Sequence, residues 1–156
     1  MFEFANHLVL KVTKGCNLRC EYCYVKDKDE NQGVFIDYTL FKDMIDRVIE
    51  DKIRASPQYR SNPFNLTFHG GEPTMLDKNL FFKMCEYAQK RFMDAGIPLT
   101  LSMQSNLTLI DEEWARLLNK FGIHLGLSWD GVEEANAART NKSNELYMQK
   151  IELLRK

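Results

Sequence analysis

With 156 residues, 44% hydrophobic and 28% charged, the chain has the material for one domain with a buried core. Its 21 Lys and Arg against 22 Asp and Glu leave a net charge of −1, which excludes the basic surplus of a nucleic-acid binder and the polybasic run of a membrane-surface protein. The apolar runs are strand-sized, far short of the roughly 20 residues of a membrane span.

Met1-Phe2-Glu3-Phe4 has neither the basic nor the long apolar region of a signal peptide. His7 to Thr13 reads as the first strand, apolar enough to be covered on both faces. Three cysteines follow within eight residues, Cys16, Cys20 and Cys23, spaced C-x3-C-x2-C. Three thiolates on a loop at a strand's end can converge on a metal centre and leave one position open for chemistry. An all-cysteine zinc site needs four thiolates, and the remaining Cys85 is distant, inside an apolar helical pattern. An iron–sulfur cubane with one bare iron fits better, with a zinc or redox triplet as the alternative. The absence of a disulfide pattern points to a reducing cytoplasm.

A charged loop, Lys26 to Asn31, leads to Asp37, a candidate helix N-cap. Phe41, Met44, Ile45, Val48, Ile49 and Ile53 then keep helical spacing. Ser56 to Pro63 reads as a connection and Phe64 to Phe68 as the second strand. It runs into His69-Gly70-Gly71-Glu72-Pro73, whose glycines, carbonyls and carboxylate suit close approach to an ammonium group, or else form an ordinary turn. A second helix starts near Asp77, carries Leu80, Phe81, Met84, Ala88 and Phe92, and stops at Gly96. Leu99 to Met103 is the third strand, ending in a Gln104-Ser105-Asn106 loop. A third helix begins at Asp111 and buries Trp114, Leu117 and Leu118. His124 to Ser128 is the fourth strand, followed by Trp129-Asp130-Gly131. The last helix runs from about Asn144 with Tyr147, Ile151 and Leu154 on one face.

Alternating strands and helices predict an α/β fold with a parallel sheet. Every polar cluster then falls at a strand's C-terminal end, where such sheets build their sites. Gln104, Ser105, Asn106 and Ser128 could bond ribose hydroxyls or a carboxylate, or serve as caps and turns. Arg139 could hold a carboxylate or sit in solvent. Cys85 reads as a small buried apolar residue, and His7 and His124, at strand starts, as structural.

Four stretches together resemble the radical S-adenosylmethionine (SAM) superfamily, and within it the SPASM-type branch of anaerobic sulfatase-maturing enzymes and peptide maturases. They are Cys16-Asn17-Leu18-Arg19-Cys20-Glu21-Tyr22-Cys23, Phe68-His69-Gly70-Gly71-Glu72-Pro73-Thr74, Gln104 to Asp111, and Gly126-Leu127-Ser128-Trp129-Asp130-Gly131. The resemblance implies a partial TIM-like barrel, here about four of its (βα)6 units. It implies that Cys16, Cys20 and Cys23 ligate a [4Fe–4S] cluster and that Tyr22 lies along the adenine of SAM. Gly71 and Glu72 would meet the methionine amino group, Ser128 the ribose with Gln104 and Asn106 nearby, and Arg139 the SAM carboxylate. The implied reaction is reductive SAM cleavage to a 5′-deoxyadenosyl radical that abstracts hydrogen, with a peptide or protein side chain as substrate. A small molecule or cofactor precursor is the alternative substrate, and a non-enzymatic metal or redox module the alternative class. The implied electron donor is a flavodoxin or ferredoxin.

Three positions depart from the family pattern: Leu107 stands where glycine is usual, Val132 where proline is usual, and Arg139 follows Asp130 one residue early. Residues 1–156 are expected to be a radical SAM domain that starts at the barrel and is incomplete at its C-terminus. The auxiliary-cluster cysteines of the SPASM region, and any catalytic acid or base carried there, are expected to lie outside this chain, in which no catalytic residue is visible beyond the cluster ligands.

Overall fold

The computed structural model describes residues 6–25, 29–54, 61–140 and 144–155. Met1 to Phe4, half of the charged run at 26–31 and most of the connection at 56–63 lie outside the described residues. Four parallel strands make one sheet in the order β1 (His7–Thr13), β2 (Phe64–Gly70), β3 (Leu99–Ser105) and β4 (His124–Leu127). Helix α1 (Tyr38–Arg54) joins β1 to β2, α2 (Lys78–Asp94) joins β2 to β3, and α3 (Glu112–Lys120) joins β3 to β4. Two helices follow β4, α4 (Glu133–Thr140) and α5 (Asn144–Leu154).

The register explains the core. Leu10 pairs with Phe68, Leu66 with Leu101, and Phe68 with Met103, so one face of the sheet carries an unbroken apolar patch. Phe41, Ile45 and Ile49 of α1 and Phe81, Met84, Cys85, Ala88 and Phe92 of α2 are buried in the same core. The other face is polar: His7 bonds Thr67 at 2.7 Å, and the Thr67 and Ser102 hydroxyls bond at 2.6 Å. Strand β1 is therefore not covered on both faces as its apolar run suggested; Val9 is 49% exposed on that second face.

The helix starts follow the expected chemistry. Asp37 accepts from the amides of Thr39 and Leu40, Asp77 from Leu80 and Asp111 from Trp114, which satisfies amides that a first turn leaves open. On α1 the apolar stripe ends differently from the expectation. Ile53 is exposed, and Lys52 takes the buried place with its ammonium donating to the Asn6 side chain and the Asn62 carbonyl. Burial pulls the Lys52 ammonium below its ordinary pKa. Cys85 is buried as expected, and burial pushes its thiol up.

Strands β2 and β3 run two residues further than expected, so Gln104 and Ser105 are strand residues and not loop. Helix α4 was not foreseen. Val132, just before it, donates its amide to the Asp130 carbonyl at 3.1 Å, a bond that proline could not make.

Leu107 has φ of +65° and is completely buried. That backbone suits glycine, and the leucine pays roughly 1–2 kcal/mol for it. Core packing outweighs the strain, since removing a buried leucine costs about 2–5 kcal/mol. Leu107→Gly is therefore expected to destabilise the fold by about 1–3 kcal/mol, despite the relaxed backbone. Denaturant unfolding measures this, and a stabilised variant would show that strain dominates.

Candidate functional site

Because the strands are parallel, the segments after β1, β2, β3 and β4 all leave the same edge of the sheet. The loop after β1 is held by short polar bonds. Gly15 donates to the Thr13 hydroxyl at 3.0 Å, and that hydroxyl donates to the Val34 carbonyl at 2.6 Å. The Cys16 carbonyl accepts from Arg19 at 2.5 Å and from the Gln32 amide at 2.8 Å, and Arg19 pairs with Asp29. Leu18 is buried beneath the loop. The Cys23 amide closes a turn onto the Cys20 carbonyl at 3.1 Å. None of the cysteines is in a disulfide, and Cys16, Cys20 and Cys23 are all half-buried.

The segment after β2 packs directly on this loop. Gly71 donates to the Thr13 carbonyl at 2.8 Å and Glu72 to the Gly15 carbonyl at 2.9 Å. A Cβ on Gly71 would stand 1.9 Å from the Gly15 oxygen. The room that a side chain would need at position 71 is filled by the cysteine loop's own backbone. Glu72 is 1% exposed. One carboxylate oxygen accepts from the Thr74 amide at 3.1 Å, the Thr74 hydroxyl at 2.5 Å and the Ser105 hydroxyl at 2.8 Å. The other accepts from the Asn106 amide at 2.8 Å. Glu72 thus caps the short turn Pro73–Met75 and ties the β2 and β3 ends together.

On the far side, Gln104 donates to the Ser128 hydroxyl at 2.8 Å, passing over Gly126, where a Cβ would meet the Gln104 oxygen at 2.1 Å. Asn106 reaches the cysteine loop, with its amide nitrogen 3.0 Å from the Asn17 oxygen and 3.8 Å from the Cys16 sulfur. Tyr22 donates to Asp130 at 2.5 Å, and Arg139, in the last turn of α4, donates to the same carboxylate at 2.9 Å. The Arg139 guanidinium also sits 5.6 Å from the Tyr22 ring centre, and the Glu21 amide donates to the Ala138 carbonyl at 3.0 Å. Arg139 and then Tyr22 hold the Asp130 carboxyl below its usual range.

These groups surround one cavity of about 380 Å³. Cys16, Cys20, Cys23, Tyr22, Gly71, Glu72, Gln104, Asn106, Ser128 and Arg139 all line it. Leu18, Tyr24, Val25 and His69 line it too without having been singled out, although Leu18 and His69 sit inside the quoted motifs, and Gly70 of the glycine pair lines it as well. Asp130 was also missed; a carboxylate three residues after a strand gives no sign that it latches a tyrosine and an arginine. A larger cavity of about 790 Å³ lies along β4 between α3 and α5, lined by Leu118, Ile123, Leu125, Leu127, Ile151 and Leu154 among others. It holds no cysteine or histidine, so the smaller cavity is the candidate site.

Among the described residues no three His, Cys, Asp or Glu side chains gather as a single-ion metal site. The three cysteines line one cavity, where each thiolate of a cluster site would bind its own iron. No helix among the described residues is long and apolar enough to cross a membrane.

The chain is 32% identical over 145 residues to an uncharacterised protein of Methanocaldococcus jannaschii, covering 93% of this chain and 46% of that protein. It is 32% identical over 127 residues to a cysteine-type anaerobic sulfatase-maturating enzyme of Clostridium perfringens, covering 81% of this chain and 33% of the enzyme. A serine-type counterpart from Klebsiella aerogenes is 32% identical over 128 residues, covering 81% and 30%. The chain thus spans less than half the length of these relatives. Among solved structures, native anSMEcpe with bound AdoMet (SAM) and a Cp18Cys peptide superposes with a TM-score of 0.75 at 29% identity, over 96% of this chain and 39% of that one. The family profile described as the radical SAM superfamily matches residues 10–156, from the middle of β1 through all four strand-end segments, and the chain belongs to that superfamily.

Proposed function

We propose that this chain is part of a radical SAM enzyme of the maturase kind, which modifies a peptide or protein side chain. The observation that supports it is the meeting, in one cavity, of the cysteine triplet with polar groups from the other three strand ends. Cys16, Cys20 and Cys23 would hold a [4Fe–4S] cluster and leave one iron for SAM. Bound there, the cluster and SAM supply a 5′-deoxyadenosyl radical for hydrogen abstraction.

The chain's own residues bind and orient. Tyr22 offers a half-exposed ring to the adenine, and Asp130 fixes that ring by taking its hydroxyl proton bond. Asp130 also steers Arg139, whose remaining donors are available to the SAM carboxylate. Ser128, oriented by Gln104, faces the ribose. For the methionine amino group, the strand-end carbonyls at residues 69–71 and the less crowded oxygen of Glu72 are the acceptors, because three donors already occupy the other oxygen. Leu18 and Val25 help to exclude water.

The peptide substrate is the finer part of the reading and rests on the sulfatase-maturating relatives. A flavodoxin or ferredoxin would deliver the electron, in the cytoplasm, and residues 1–156 would form the N-terminal part of the radical SAM domain. Anaerobic reconstitution of the full-length protein is the test. At least four irons per chain, the content of one [4Fe–4S] cluster, and 5′-deoxyadenosine from SAM plus reductant are expected. Stoichiometric zinc without SAM cleavage would overturn the enzyme reading. Cleavage that leaves cysteine- and serine-bearing sulfatase peptides unchanged in mass would overturn the peptide part alone.

A further inference from the structure

We propose that Asn106 donates an N–H···S hydrogen bond to Cys16 and thereby raises the reduction potential of the cluster bound there. The inference rests on the proposed cluster and adds a positioning and tuning residue to it. Asn106 is 6% exposed and is held at both ends. Its backbone amide donates to the buried Glu72 carboxylate at 2.8 Å. Its side-chain oxygen accepts from the Thr108 amide at 3.1 Å and the Thr108 hydroxyl at 2.7 Å.

That pair of contacts settles which way the amide points. A backbone N–H can only donate, so the group facing Thr108 is the oxygen, and the NH2 must face the cysteine loop. There it meets the Asn17 oxygen at 3.0 Å and the Cys16 sulfur at 3.8 Å. Asn17 is fixed in turn, because its own nitrogen donates to the Thr108 hydroxyl at 2.7 Å. The Leu18 amide is a second donor to the same sulfur, at 3.4 Å. A cluster gains negative charge on reduction, and donors aimed at its thiolates favour the reduced form.

The test is an EPR-monitored redox titration of the reconstituted full-length protein without SAM, with iron content and thermal melts beside it. Asn106→Leu removes the donor, and Asn106→Asp keeps the acceptor for Thr108 while turning an oxygen toward the sulfur. Both are expected to move the midpoint to lower potential, Asp further than Leu. At the wild-type midpoint, the ratio of reduced to oxidised cluster should fall by about threefold to tenfold, or roughly 30–60 mV for one electron. Thr108→Val, which loosens the amide without removing it, should shift in the same direction by less. It keeps the test open if a position-106 variant loads poorly. If Asn106 only ties two loops, the variants melt earlier but their clusters keep the wild-type potential, and the assignment falls. A wild-type protein that binds no cluster would instead overturn the proposed function from which this follows.

Discussion

Changing Cys16, Cys20 or Cys23 singly to Ala is expected to abolish SAM cleavage and to strip the iron of the cluster these residues would hold. Each thiolate would hold its own iron, so no neighbour can substitute, and a loss beyond the 10- to 100-fold typical of outer partners is expected. The loop that carries them is anchored through Thr13, Arg19 and Gln32, whose bonds do not involve the thiols, so the fold should survive. Cys85→Ala is the control. That thiol is buried in α2 among Phe81, Met84 and Phe92, away from the cavity, and its loss should cost about 1 kcal/mol of stability and no activity. Iron content, 5′-deoxyadenosine yield and circular dichroism of the four variants decide it. A cysteine-triplet variant with full iron and full yield would remove that residue from the ligand set.

Much of this was legible in the sequence because the relevant physics is local. Asp37, Asp77 and Asp111 cap helices where an acceptor precedes an apolar stripe, and Gly96 ends α2 with a positive φ. The polar strand ends stood out because β2 and β3 are otherwise strongly apolar on one face. Helix α4 was invisible for the converse reason. Its sequence has no apolar stripe, and its buried residue is Asn136, which accepts from the Asp130 amide and donates to Asn144. Lys52 deceived in the same way, since a lysine in a helical stripe reads as surface until its partners are known. The site's residue types were readable, but not their pairings. Nothing in the spacing says that Glu72 spends its carboxylate on Thr74, Ser105 and Asn106, or that Asp130 joins Tyr22 to Arg139. Those pairings come from separate strand ends brought side by side by the sheet.

Gly71→Ala is expected to cost nearly as much as Gly71→Val, and both should lose iron as well as SAM binding. Were the glycine there only to admit a ligand, alanine would be tolerated, valine would weaken SAM alone, and the cluster would load normally. The structure argues otherwise. The first added carbon already stands 1.9 Å from the Gly15 oxygen and 2.5 Å from the Lys14 oxygen, both backbone atoms of the cysteine loop. No rotamer can relieve that contact, so the loop or the β2 end must move. Moving either breaks the Gly71 to Thr13 and Glu72 to Gly15 hydrogen bonds, which are worth about 1 kcal/mol each. It also shifts Cys16, the next residue along. A destabilisation on the order of 2–4 kcal/mol is expected for either variant, with reconstituted iron well below wild type. Melting curves and iron analysis of the two variants side by side make the distinction. A Gly71→Ala protein with wild-type melting and a full cluster would restore the ligand-room reading and refute the backbone one.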